Sequence, residues 1–178
     1  MIREFEGITP RIGNNVFIDD SAVVIGDVSI GDDSSVWPCT VIRGDVERIR
    51  IGAATNIQDN SVLHVTHDGP YSRGGQGLVI GDQVTVGHRV ILHACEIGHR
   101  CLIGMGAIIM DKAVLEPEVF LAAGTLVSPG KVLESGYLYR GSPARQVRKL
   151  TAEERSNLTY SAEHYVRVKN RHMGRPAE

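Results

Sequence analysis

The chain has 178 residues, which suits one domain of ordinary size. Apolar residues make up 42% of it but aromatics only 5%, and there are 20 glycines. Such a composition points to an aliphatic interior and many tight corners rather than a helical bundle, and a net charge of −2 offers no basic footprint for nucleic acid or anionic membranes.

At the N-terminus, residues 1–6 (Met-Ile-Arg-Glu-Phe-Glu) lack the apolar run of a signal peptide. No stretch approaches the ~20 apolar residues of a membrane span. The sequence therefore predicts a cytoplasmic protein, with Cys39, Cys95 and Cys101 as reduced thiols in core-like positions.

From residue 12 onward a six-residue period organises the chain. Ile, Leu or Val recurs at 12, 18, 24, 30, 36 and 42, then at 51, 57 and 63, then at 80, 86 and 92, and finally at 97, 103, 109, 115, 121, 127 and 133. Only three breaks interrupt it: an insertion at 48–50, a longer one near 69–79, and a five-residue step from Leu92 to Ile97. Three such units make one triangular turn of a parallel β-helix with the aliphatic residue pointing inward. An antiparallel barrel would need turn signals every 8–12 residues, and these are absent. The nineteen units predict about six coils, stacked at ~4.8 Å.

Residues 1–150 are expected to form this β-helix, with a short N-terminal lead-in and a polar excursion near 67–77. Beyond Leu133 the pattern changes. Thr151-Ala152-Glu153-Glu154 has capping-box spacing, and Leu158, Ala162 and Tyr165 share one helical face, which predicts a helix over 151–173 packed along the solenoid. Residues 174–178 read as frayed.

Counting faces in threes from Ile12 puts Leu63 and Leu92 on the third face of consecutive coils, so His64 and His93 stack. Two imidazoles ~4.8 Å apart along a sheet could share a zinc ion or form a plain histidine ladder. His88, two residues past Val86, lies on the second face, beyond a corner. It joins such a site most easily from a neighbouring chain, which predicts a metal shared between subunits and three-fold closure. Arg43 precedes His64 and His93 in their column. Asp59 lies below His88, where it could fix the tautomer of that ring.

Val41-Ile42-Arg43-Gly44-Asp45-Val46, Thr55-Asn56-Ile57-Gln58-Asp59, Leu63-His64-Val65-Thr66-His67, Val86-Gly87-His88 and Leu92-His93 resemble the gamma-class carbonic anhydrases, and 134–143 is most similar to a bacterial subgroup of that family. The resemblance implies a left-handed parallel β-helix and a homotrimer with interfacial Zn2+. Imidazole ligands also suit Fe2+ or Co2+. It implies His64 and His93 as ligands from one subunit and His88 from the next, and an intersubunit ion pair of Arg43 and Asp45. Gln58 would orient the attacking hydroxide, with Asp59 as its acidic neighbour and Tyr165 near the metal.

The implied reaction is hydration of CO2 to bicarbonate. Val46 departs from the pattern, since the most active family members carry an acid there, and 69–77 contains no carboxylate. The departure predicts low or conditional activity, with Glu47, His67 and Asp68 as nearby groups for proton movement. Alternatives are an acyl-CoA thioesterase using the same metal, a hexapeptide acyltransferase, for which Gly141-Ser142-Pro143-Ala144-Arg145 also speaks, and a non-catalytic metal-stabilised trimer.

Overall fold

A computed structural model describes residues 1–175. Each corner of the solenoid must turn the chain within two residues, and it does so through the left-handed region. At one corner Asn15, Asp33, Ala54, Gln83, Arg100 and Glu118 follow one another up the stack with φ between 51° and 61°. For a residue with a Cβ this conformation costs roughly 1–2 kcal/mol. The offset is a ladder of hydrogen bonds along the axis, since Ala54, Gln83, Arg100 and Glu118 each donate an N–H to the carbonyl of a residue one coil below, at 2.8–3.0 Å. Close stacking also restricts side chains: a Cβ on Gly52 would lie 2.6 Å from the carbonyl carbon of Gly81.

Between corners the short strands pair in parallel, coil on coil, with the inward aliphatic residues in register. Ile57 lies between Val36 and Val86, and Leu92 between Leu63 and Ile109. From Val24 to Leu133 these inward residues are buried, forming one aliphatic column. The described residues place seven parallel strands on each face where the aliphatic spacing predicts about six coils. One extra strand is Ile2–Arg3, paired with Val24 and Ile25. The other is Tyr137–Arg140, in which Tyr139 takes the inward place above Leu121.

Both insertions fall at the corner between the third and first faces. The strands Val23–Ile30 and Val41–Ile51 run round that corner without a break, and the additional residues of the second are taken up by a register shift after Gly26. One coil higher, the chain leaves the prism after the buried Val65, and the excursion returns through a Thr66–Gln76 bridge.

At the upper end the antiparallel pair Tyr137–Arg140 and Arg145–Lys149 reverses the chain. The helix Ala152–His172 then descends along the second face. Its capping box is closed by Thr151 and Glu154 as expected. Down the face, Arg155 pairs with Glu118, Ser161 with Thr85, and Tyr165 meets Trp37 edge-on at 5.6 Å. Lys169 completes the buried stripe of Leu158 and Ala162, its ammonium held by Asp33 at 3.2 Å and Asn170 at 2.8 Å. Of the segment expected to fray, 176–178 lies outside the described residues. Among the described residues, no helix is long and apolar enough to cross a membrane.

Candidate functional site

The functional side chains occupy two places on the prism. On the third face, Leu63 and Leu92 are paired in register, which brings His64 under His93 with His64 Nδ1 and His93 Nε2 3.3 Å apart. The other nitrogen of each ring faces a carboxylate: His64 Nε2 lies 3.1 Å from Asp45 and His93 Nδ1 3.0 Å from Asp111. Burial raises the pKa of Asp45, but hydrogen bonds from Arg43 and His64 outweigh it and hold the carboxyl below its usual range. Asp111 behaves likewise, with Thr66 and His93 as donors against the effect of burial. An ionised carboxylate can only accept, so the ring nitrogens facing these two carry the protons.

With a single proton on each ring, as in neutral imidazole, the nitrogens facing each other would both be lone pairs, an arrangement suited to a cation between them. Two ligands bound at ~2.0–2.1 Å in tetrahedral geometry would stand ~3.3 Å apart, which is the spacing observed. The residues present therefore fit a divalent ion. Burial, and then the Arg43 charge, lower the pKa of His64 despite its bond to Asp45, which favours the neutral, ligating ring. Arg43 hydrogen-bonds Asp45 of its own chain, although the resemblance implies a pair across subunits; its side chain is 42% exposed.

Around the corner, on the second face, His88 lies over Asp59 as the register predicts, with Nδ1 2.9 Å from Oδ2. Its side chain is 44% exposed. Beside it the buried Gln58 donates its Nε2 to Asn56 Oδ1 at 3.0 Å. The Asn56 amide nitrogen in turn lies 3.1 Å from Thr85 Oγ1, which donates to Ser161 of the helix. This chain of donors fixes the Gln58 amide so that its carbonyl oxygen is the free acceptor. Tyr165 stands nearby, and burial together with the Asp59 charge raises its pKa. The walls beyond are apolar: Leu102, Ile103, Met105 and Phe120 line a cleft of about 420 Å3 against Gln58 and His88.

Among the described residues, no three His, Cys, Asp or Glu side chains of one chain converge on a point. His88 does not join His64 and His93 within the subunit. Glu47 accepts from the Arg48 N–H, and Asp68 from the Gly74 N–H inside the excursion, so both are engaged locally. His99 pairs with Asp82 on the first face, and His172 packs on Phe17 and Trp37.

Asn56, Thr85, Ser161 and Asp111 escaped the sequence reading. The first three are polar residues of a kind that surfaces carry everywhere. Asp111 sits two residues past inward-facing Ile109, the same offset at which Asp59 follows Ile57, and that offset was the available signal.

Residues 9–44 match the family described as "Bacterial transferase hexapeptide (six repeats)". The chain is 53% identical over 173 residues to "Protein YrdA" of Escherichia coli, covering 97% of this chain and 94% of that one. It is 42% identical over 166 residues to "Gamma carbonic anhydrase 2, mitochondrial" of Arabidopsis thaliana, covering 92% of this chain and 59% of the plant protein. Among solved structures, a hexapeptide transferase family protein from Anaplasma phagocytophilum superposes with a TM-score of 0.88 at 43% identity, over 96% of both chains. With this solenoid, this placement of histidines and these relatives, the chain belongs to the hexapeptide-repeat family that holds YrdA and the gamma-class carbonic anhydrases.

Proposed function

We propose that the protein is a carbonic anhydrase of the gamma type, hydrating CO2 to bicarbonate at zinc sites shared between the subunits of a cytoplasmic homotrimer. The observation that carries the reading is the pair of facing nitrogens, His64 Nδ1 and His93 Nε2, 3.3 Å apart with the far side of each ring against a carboxylate. Those two imidazoles leave a tetrahedral ion short of a third protein ligand. An exposed His88, already set by Asp59 and separated from them by a corner, is the complement that a neighbouring copy would bring.

Bound there, zinc would supply enough Lewis acidity to make hydroxide available from water near neutral pH. The chain's own residues do the rest. Gln58, fixed through Asn56, Thr85 and Ser161, presents its carbonyl oxygen to the attacking oxygen and sets the direction of its lone pair. Arg43 contributes positive potential where bicarbonate charge develops. The apolar cleft beside Gln58 and His88 favours an uncharged substrate such as CO2 over an anion. Fe2+ or Co2+ would be held by the same donor set.

The same cleft favours one second reading. With Met105 58% exposed at its side, it could take an acyl chain, so a metal-dependent thioesterase acting on acyl-CoA is the alternative. Stopped-flow CO2 hydration on anaerobically purified protein of known metal content, beside a His93→Ala variant, separates the two. Activity should track metal content and fall at least about 100-fold in the variant. A metal-loaded trimer with no hydration above buffer overturns the anhydrase reading, and acyl-CoA hydrolysis is then assayed on the same sample.

A further inference from the structure

The three candidate ligands are buttressed by three different carboxylates, and Asp111 differs from the other two in what it does with its second oxygen. Asp111 Oδ2 lies 3.0 Å from His93 Nδ1, while Oδ1 accepts from the Thr66 hydroxyl. Thr66 is the residue at which the excursion is pinned to itself, its N–H donating to Gln76 O at 3.0 Å and its carbonyl accepting from Gln76 N–H at 2.8 Å. One carboxylate thus joins a ring nitrogen of the site to the foot of the 65–77 segment. With both oxygens engaged, it cannot rotate away from His93 without releasing Thr66.

We propose that Asp111 is a positioning residue: it locks His93 in the tautomer with Nδ1 protonated and Nε2 bare, and Thr66 holds it in place to do so. A histidine side chain in water prefers the opposite tautomer, with the proton on Nε2. Without Asp111 the lone pair of His93 would leave the gap facing His64, and a proton would stand where a cation should. The proposal rests on the metal-site reading for its consequence but not for its cause, because the tautomer is a property of the metal-free chain. Loss of such an outer partner typically costs 10–100-fold in metal affinity.

The test uses the full-length, metal-stripped protein, with ring-nitrogen NMR at about pH 8, where imidazoles of ordinary pKa are neutral, followed by Co2+ titration. Wild type should show His93 protonated at Nδ1. In Asp111→Ala the proton should move mainly to Nε2 and Co2+ should bind about 10–100-fold more weakly. Asp111→Asn, which keeps one oxygen acceptor for Nδ1–H, should retain the wild-type tautomer and most of the affinity. Asp111→Ala with an unchanged tautomer and affinity overturns the proposal.

If that variant fails to assemble, Thr66→Val decides. Its untethered carboxylate should yield mixed tautomers and measurably weaker Co2+ binding, and a variant indistinguishable from wild type in both readings overturns the proposal equally. Wild type with Nδ1 protonated but no Co2+ uptake would instead defeat the metal reading and leave the role of Asp111 standing. Wild type with the proton on Nε2 would defeat the role of Asp111 itself.

Discussion

His64 and His93 meet because their strands are paired in register, so their contact was legible from spacing alone. Asp111 reaches His93 from the corner of the next coil, where a six-residue count fixes the backbone but not the direction of a side chain. Gly44, between Arg43 and Asp45, shows how little room that neighbourhood has. A Cβ there would lie 2.7 Å from Asp27 O and 3.1 Å from Glu47 O. Gly44→Ala should cost about 1–3 kcal/mol through overpacking, read by chemical denaturation, and a loss under ~0.5 kcal/mol would show that the bulge relaxes. The thiols make a second test at this scale. Burial pushes the Cys101 thiol up to about 12 and that of Cys95 higher still, whereas Cys39 is exposed. A thiol reagent should therefore modify one cysteine of the folded chain rapidly and the other two only on unfolding.

Among elements, the helix was the easiest to foresee, since its capping box and first buried positions are local signals. What its pattern concealed was Lys169, which extends the stripe one turn further but reads as solvent-facing until Asp33 and Asn170 are brought to it from elsewhere. Tyr139 was hidden in the same way, because a search for aliphatic side chains ends one strand before the solenoid does. The start of the helix titrates. Hydrogen bonds from Arg148 and Thr151 lower the pKa of Glu154 from 4.5 to about 2. A depressed carboxylate stabilises the fold above its unfolded pKa, and that contribution disappears as pH falls through the folded one. Glu154→Gln, which keeps the capping geometry but not the charge, should flatten the fall of Tm between pH 4.5 and 2. Parallel Tm curves for the two proteins would contradict it.

For the whole molecule, the separation of His88 from His64 and His93 makes the proposed site a property of assembly, and subunit mixing tests it directly. Neither His88→Ala nor His93→Ala trimers should hold the metal tightly. After co-unfolding and refolding together, each mixed trimer should regain one intact site, where a chain keeping His64 and His93 meets a chain keeping His88. Metal stoichiometry and hydration should both recover in part. No recovery in demonstrably mixed trimers would place all the ligands within single chains.

A prism of near-identical coils has, along most of its length, no landmark: moved by one coil, its faces present almost the same surface. Two such rods laid side by side could settle in several offsets of nearly equal energy. In the proposed trimer the longer turn in Val41–Ile51 and the 65–77 segment would remove that freedom, because both interrupt the repeat at one corner of adjacent coils. They would act as a detent, giving a translationally repetitive surface a single axial position. The histidines stand at that position, so a neighbour held there would align with them and with no other coil.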